Sequence, residues 1–322
     1  MTYEVVLDGQ YDVTDTTADL TMEESIEEVS VRITANFLKV EGFPDLLGGE
    51  DVRISGPFFQ SSVKSLLFKG VAWEVEDQKR GGKQVSLTAY DRTIYMAKSE
   101  DEYLFSSGGK ASSRIKKYAS DWGIPLGEIA DTSVSLAKAV YRAQPIYRMI
   151  QQDLAETSDK GGELFIPRID NDKLHLVEIG SNSEVWLLES TEEVTRSHSL
   201  ENAVTKVKVL GKEEENKRTS VLATVTKDTG KYGTIQKVLQ DSKVKTKSDA
   251  EKAGRKMLSG PEETVTVRTF DINVIRAGDQ VRLDDRDLFV ISVKRTLAPG
   301  GMMTLSLGDK DMIRRKYYGE SI

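Results

Sequence analysis

His175 and His198 are the only histidines in the 322 residues, and there is no cysteine. This removes the thiolate nucleophile, the thiolate metal site, the His-rich zinc site and the His pair at i, i+4. His175 alternates with Leu174 and Leu176 in a strand-like run, which favours a structural or solvent-facing role. Ser197 and Ser199 flank His198. Neighbours on one strand point to opposite faces, so the three do not make a nucleophile and its base. Ser61 with Lys64 and Ser113 with Lys116 match the S-x-x-K spacing of serine acyl-enzymes, but no companion Ser-Asp-Asn or Lys-Thr-Gly follows, and Lys245-Thr246-Lys247 lacks the glycine. Gly82-Lys83-Gln84 and Gly230-Lys231-Tyr232 have neither the upstream spacing nor the hydroxyl of a phosphate loop. Asp170-Asn171-Asp172 starts like a calcium loop and then runs into Lys173-Leu174, which is the composition of a β-turn.

Carboxylates are what remains. Glu23/Glu24 and Glu100/Asp101/Glu102 are candidate acids for glycoside hydrolysis, where the working separation of roughly 5–10 Å is a property of the fold. Both groups sit in polar stretches, where solvated side chains are the simpler reading. Trp73, Trp122 and Trp186 lie on apolar-patterned segments, which favours core packing over a sugar-stacking face. The expectation is therefore no catalytic, cofactor-binding or metal-ligating residue, no cofactor, and a chain that is not an enzyme.

Composition agrees with a globular body. A charged fraction of 30% with a net charge of -7 disfavours a general nucleic-acid binder, which would carry a basic face. The absence of cysteine suits assembly in a reducing compartment. The start Met1-Thr2-Tyr3-Glu4-Val5-Val6-Leu7-Asp8 is too acidic for a signal peptide, and no apolar run reaches the roughly 20 residues of a membrane span. Synthesis in the cytoplasm is expected.

The elements that would carry these residues are mostly strands. Glu4 to Leu7 is a short strand, followed by a polar, Thr-rich stretch ending at Glu23-Glu24. From Ile26 to Thr34, Val29, Val31 and Ile33 alternate with Ser30, Arg32 and Thr34, the period of a half-buried strand. Ile115, Tyr118, Ala119 and Trp122 fall at helical spacing before Gly123 and Pro125, and a second helix starts at Pro145 and buries Ile146, Met149, Ile150 and Leu154. Leu164 to Ile169 and Leu174 to Ile179 form a hairpin over Asp170 to Lys173. Val204 to Val209 and Val221 to Val225 are strands, and between them the charge run Lys212 to Arg218 is a solvated hairpin tip. Ser248 caps a helix that ends at Gly260-Pro261, and Met312 to Tyr318 is a basic, aromatic, frayed tail.

One unit occurs twice. Gly49-Glu50-Asp51-Val52-Arg53-Ile54, Leu67-Phe68, Gly81-Gly82 and Leu87-Thr88-Ala89-Tyr90-Asp91 are matched in order by Gly278-Asp279-Gln280-Val281-Arg282-Leu283, Leu288-Phe289, Gly300-Gly301 and Leu305-Ser306-Leu307-Gly308-Asp309. The fold expected is mainly β with an α+β insert: two related small β-barrel domains plus an α+β module. The boundaries are 1–96 for the first barrel, 97–197 for the module and 198–322 for the second barrel with its tail. Whether 200–235 completes the first barrel stays open.

Phe68-Lys69-Gly70 with Trp73 to Asp77, Leu87 to Asp91 with Tyr95-Met96, the helix around Ile115 to Ala119, Gln144 to Tyr147, Lys231-Tyr232-Gly233, Ala277-Gly278-Asp279 and Val290 to Val293 follow one another in an order that resembles a known family. The family is the baseplate or tail hub proteins of contractile-tailed phages and phage-like particles, related to late control protein D, and within it the hubs of PBSX-type particles. The resemblance implies a structural virion protein with tube-like barrels, a homotrimer whose six modules adapt a six-fold tail tube to a three-fold central spike. It implies as partners the chain itself, the tail tube protein, the spike protein and other baseplate components. No membrane insertion and no specific nucleic-acid binding are implied, although DNA could pass through the ring. The rival readings are a peptidoglycan-degrading hydrolase using carboxylates and a glycan-binding module.

Overall fold

The computed structural model describes residues 3–79, 83–211, 219–240 and 244–319. The Gly81-Gly82 turn and the Lys212 to Arg218 run lie outside the described residues. Two compact units are present, one of residues 1–195 with 265–322 and one of residues 196–264.

The larger unit is built on a thirteen-stranded sheet. Its strands follow from period-two burial: in Arg32–Leu38, Ile33, Ala35 and Phe37 are buried, and in Lys83–Tyr90, Val85, Leu87 and Ala89 are. Thr17–Ser25, Arg32–Leu38, Lys83–Tyr90, Lys64–Lys79 and Asp51–Pro57 lie side by side in that order. Thr191–Ser199, Glu262–Phe270, Met302–Gly308, Arg286–Thr296 and Gln280–Leu283 repeat the order. Each set is thus a lead strand, a second strand, and a three-strand meander whose last member returns beside the second, a Greek key.

The duplication holds residue by residue. Ala35 faces Leu87 as Val267 faces Leu305, and Val52 faces Gly70 as Val281 faces Leu288. Each middle strand carries one extra residue against its last strand, Trp73 in the first copy and Ile291 in the second, so both copies bulge at the same place. Asp91 and Asp309 directly follow equivalent strands. The Leu-Phe pairs, however, are not equivalent: the register puts Leu288-Phe289 opposite the positions of Gly70-Val71, three residues beyond Leu67-Phe68.

The chain is mainly β with an α+β insert. The two sheet halves keep separate cores, one around Val5, Ile33, Phe37, Ile54 and Leu87, the other around Val265, Val281, Val290 and Leu305. They are joined edge to edge, because Arg286–Thr296 pairs with Thr17–Ser25. Among the described residues the strand order has three free ends, Tyr11–Asp12, Thr191–Ser199 and the short Trp186–Leu187 beside Gln280–Leu283, so neither half closes into a barrel.

The insert matches its expected helices, Ala111–Asp121 and Ile146–Asp159, and its hairpin Phe165–Asp170/Lys173–Glu178. Asn171 and Asp172 both take positive φ, 48° and 61°, which a two-residue hairpin turn requires. Two pairings were not legible: Glu100–Phe105 with Ala139–Pro145, and Leu126–Ile129 parallel to Lys173–Glu178. The insert's core is shared with Ile26, Val29, Ile291, Met312 and Ile313. Two expectations change accordingly. Residues 312–318 are not a frayed tail, because Lys310–Tyr317 is a helix with Met312 and Ile313 buried and Asp309 capping it through the Met312 N–H at 2.7 Å. The strand expected from Ile26 starts only at Arg32, since Ile26 and Val29 turn into the helical core.

Residues 196–264 have their own core. Lys206–Leu210 pairs antiparallel with Val221–Thr226 and parallel with Gln236–Gln240, and the helix Lys247–Met257 covers Val207, Val209 and Val225. The cap is Thr246, whose hydroxyl accepts the Asp249 N–H at 3.1 Å, rather than Ser248. Gly254 allows the close approach, since a Cβ there would lie 2.8 Å from a Val225 methyl. Residues 206–240 therefore form a sheet of their own and complete neither half of the large one.

Candidate functional site

A cavity of about 760 Å³ opens in the larger unit where the first copy, the insert and the second copy meet. Its lining comes mainly from Leu66 to Lys69 in Lys64–Lys79, from the hairpin Phe165–Asp170/Lys173–Glu178 with its turn, and from the loop 271–279 that precedes Gln280–Leu283.

Three largely buried arginines anchor that loop. Arg276 grips Glu24 in a two-point fork, Nε to Oε2 at 2.7 Å and Nη2 to Oε1 at 2.6 Å, and Nη2 also donates to the Ile169 carbonyl at 3.0 Å. Arg168 donates to Asp279 Oδ1 at 3.0 Å, while Asp279 Oδ2 accepts the Arg276 backbone N–H at 2.9 Å. Arg295 pairs with Asp271 Oδ1 at 3.3 Å and donates to the Ile275 carbonyl. Burial opposes ionisation of Glu24, but Arg276 outweighs it and holds the carboxyl below its usual range. For Asp279 and Asp271 burial wins, and both sit above the usual range despite Arg168 and Arg295.

Two further ties cross the cavity. Asn273 accepts the Phe59 N–H at 2.7 Å and donates to the Pro57 carbonyl at 2.9 Å, joining the second copy's loop to the end of the first copy's strand. Lys69 reaches Asp172 at 2.7 Å, joining the first copy to the insert's turn. Asp91, at the wall, is pushed up to about 6 by burial, with the like charge of Glu24 adding to the shift, although Thr93 and the Val31 N–H donate to it.

Each of these carboxylates thus has a cation or backbone donors on it. The arrangement is a joint that locks three parts together, with these acids spent largely on holding it. Among the described residues no group of three or more His, Asp or Glu is placed to hold a metal ion.

The residues singled out by type and spacing disperse in the fold. Glu24 enters the joint, whereas Glu23 faces the other way and pairs with Arg32 and Lys294. Glu100 and Glu102 are exposed on the insert's two-stranded sheet. His175 accepts the Glu128 N–H at 3.1 Å and packs against Gly127, where a Cβ would lie 2.0 Å from its Nε2. His198 is exposed. Trp186 packs edge-on to Phe59 at 5.5 Å, but Trp73 and Trp122 are 40% and 37% exposed, so neither is a core residue. Arg276, Arg168 and Asp271 carried no motif, and Asp279 stood out only as part of the repeated Gly-Asp turn. The signal that could have found Glu24 is its place in Leu20, Met22, Glu24, an alternation of inward positions that ends on a carboxylate.

A second buried network lies within the insert. Asp153 accepts from Arg114 Nη1 at 2.6 Å, Tyr141 at 2.6 Å and Tyr118 at 3.1 Å. It ties the two helices to the two-stranded sheet, and burial lifts its carboxyl and both tyrosines.

Comparison with known proteins gives this architecture a family. The family model described as YQBQ-like matches residues 49–300, most of the chain. The chain belongs to the YqbQ-like family. It is 31% identical over 176 residues to the uncharacterized protein YqbQ of Bacillus subtilis (strain 168), covering 53% of this chain and 52% of that protein. It is 29% identical over 174 residues to the phage-like element PBSX protein XkdQ of the same organism, again 53% and 52%. The chain spans about half the length of the curated relatives it matches. Among solved structures, the 43 kDa tail protein of prophage MuSo2 from Shewanella oneidensis has the same fold, with a TM-score of 0.72 at 10% identity over 97% of this chain and 99% of that one. The E. coli c3393 protein, a type VI secretion component described as similar to T4 tail proteins gp27 and gp5, matches with a TM-score of 0.58 at 7% identity over 94% and 76%.

Proposed function

We propose that this YqbQ-like chain is a structural hub in the tail of a phage or phage-like particle, a late control protein D-like ring component that adapts the tail tube to the central spike. The observation that carries the reading is the duplicated five-strand unit. One chain offers two near-equivalent modules with matched registers and bulges, so three chains in a ring present six similar faces to a six-fold tube and three-fold symmetry to a spike. The prophage tail fold and the relative in a phage-like element support it. So does the charged joint, which sets the angle between the modules by paired charges and leaves shape to do the work. On this reading the chain is not an enzyme, needs no cofactor, and has as partners its own copies, tube, spike and other baseplate proteins.

The test is assembly state. Sedimentation of the chain alone and with tube and spike proteins should give a trimer, and a particle reconstruction should find it between them. A chain that stays monomeric with both partners present overturns the reading.

A further inference from the structure

Within the chain, the second copy receives a strand that the first copy lacks. Past its bulge at Ile291, the middle strand Arg286–Thr296 pairs on its open edge with the first copy's lead strand, Ser292 facing Ser25 and Thr296 facing Thr21. The residue that follows that lead strand, Ile26, donates its N–H to the Ile291 carbonyl at 2.9 Å, and Ile291 is only 5% exposed.

The first copy shows the same geometry without the partner. Past the bulge at Trp73, Glu74 to Gln78 occupy the positions of Ser292 to Thr296 and pair with Lys83–Tyr90 on one side. Their other edge has no strand among the described residues, because Asp51–Pro57 pairs only as far as Val71. Trp73 is 40% exposed there. At the far end of the sheet the second copy's lead strand, Thr191–Ser199, is the terminal strand, with one edge on Glu262–Phe270 and mostly exposed side chains. Leu200 follows it as Ile26 follows Ser25, and it too is exposed.

We infer that Thr191–Ser199 of one copy of this chain adds to the Glu74–Gln78 edge of another, antiparallel, with Leu200 brought over Trp73. The two free edges are the two halves of the joint that the chain already makes inside itself, and pairing them continues that joint from one copy to the next. An edge strand with unpaired N–H and C=O groups is a ready template for such pairing. The contact joins unlike surfaces, so it is heterologous and propagates head to tail until a ring closes. This rests on the ring reading above and names the surfaces that would make it.

Because the chain has no native cysteine, engineered pairs can test the register directly. Cross-strand Cα atoms about 4.5–5.5 Å apart lie within disulfide reach. Full chains carrying Glu76→Cys with a second cysteine at each position from 195 to 199 in turn should, on oxidation of the assembled protein, link into ladders of covalent multimers at position 197, which the internal register sets opposite Glu76, and not at its neighbours. Trp73→Asp should weaken self-association by at least about tenfold, and its unfolding midpoint as a monomer should stay close to that of the unaltered chain. An assembly that forms normally, gives no cross-link at any of the five positions and is indifferent to Trp73→Asp overturns this inference and leaves the ring reading standing. A chain that never assembles with tube or spike overturns both.

Discussion

Glu24 and Arg276 stand 252 positions apart in the chain and meet in a largely buried two-point ion pair, 2.6 and 2.7 Å, that fastens the first copy's lead strand to the second copy's loop. The same strand is the one paired to Arg286–Thr296. Backbone pairing and a charge fork therefore fix one joint, and the angle between the two halves depends on both.

Removing one partner of that fork should cost far more than removing both. Arg276→Met leaves Glu24 as an uncompensated buried charge, and a loss of about 3–5 kcal/mol is expected. The double variant Glu24→Gln/Arg276→Met should recover a large part of it. Urea unfolding midpoints of the four chains give the coupling, and additive losses would show that the two residues act independently.

Asp91 should make stability fall with rising pH in the weakly acidic range. Burial raises its folded value from 3.8 to about 6, so between these the folded chain holds a proton that the unfolded chain releases. Its contribution is complete below the unfolded value and is lost as pH rises through the folded one. The stability difference between the unaltered chain and Asp91→Asn should drop by up to about 3 kcal/mol from pH 4 to pH 6.5 and then level off. A difference that does not change with pH would show that the carboxyl is not held this way.

The two bulge residues should respond unequally to truncation. Ile291→Ala removes a side chain packed in the insert's core with Met312 and Ile313, and about 2–4 kcal/mol is expected. Trp73→Ala loses mainly edge contacts to Tyr90 and Tyr95 at 6.3 and 5.9 Å, worth about 1 kcal/mol in the isolated chain. Thermal unfolding of both variants decides the order.

Gly70 should not tolerate a methyl group. A Cβ there would lie 2.2 Å from the Tyr90 carbonyl oxygen, a backbone atom of the paired strand that cannot swing away. Gly70→Ala should cost more than about 2 kcal/mol. Gly230→Ala, with nothing within 4 Å, serves as the matched control and should stay within about 0.5 kcal/mol of the unaltered chain in the same urea titration.

Much of the architecture was legible in the residues. Leu87 to Asp91 and Leu305 to Asp309 align residue for residue, and their registers coincide. Helices beginning after Lys110 and Pro145 announced themselves by apolar spacing and by Gly123, whose φ of 62° ends the first of them. Thr17–Ser25 did not, because two of its inward positions hold Thr17 and Glu24 and its outward ones are equally polar. A strand whose buried face contains a carboxylate loses the contrast that periodicity depends on. The Leu-Phe match misled for a related reason: both pairs are apolar strand residues, and only cross-strand partners separate one register from another three residues away.

Local period and residue inventory were enough to establish a mainly β chain that uses one unit twice and carries two histidines and no cysteine. Three things waited for the fold: where the copies join, that residues 196–264 stand as a unit of their own, and that Arg168, Arg276 and Arg295 converge on one cavity wall with Glu24 gripped behind it by Arg276. Buried charges find partners by position in space, with Glu24 and Arg276 at opposite ends of the chain, and no local pattern records such a meeting.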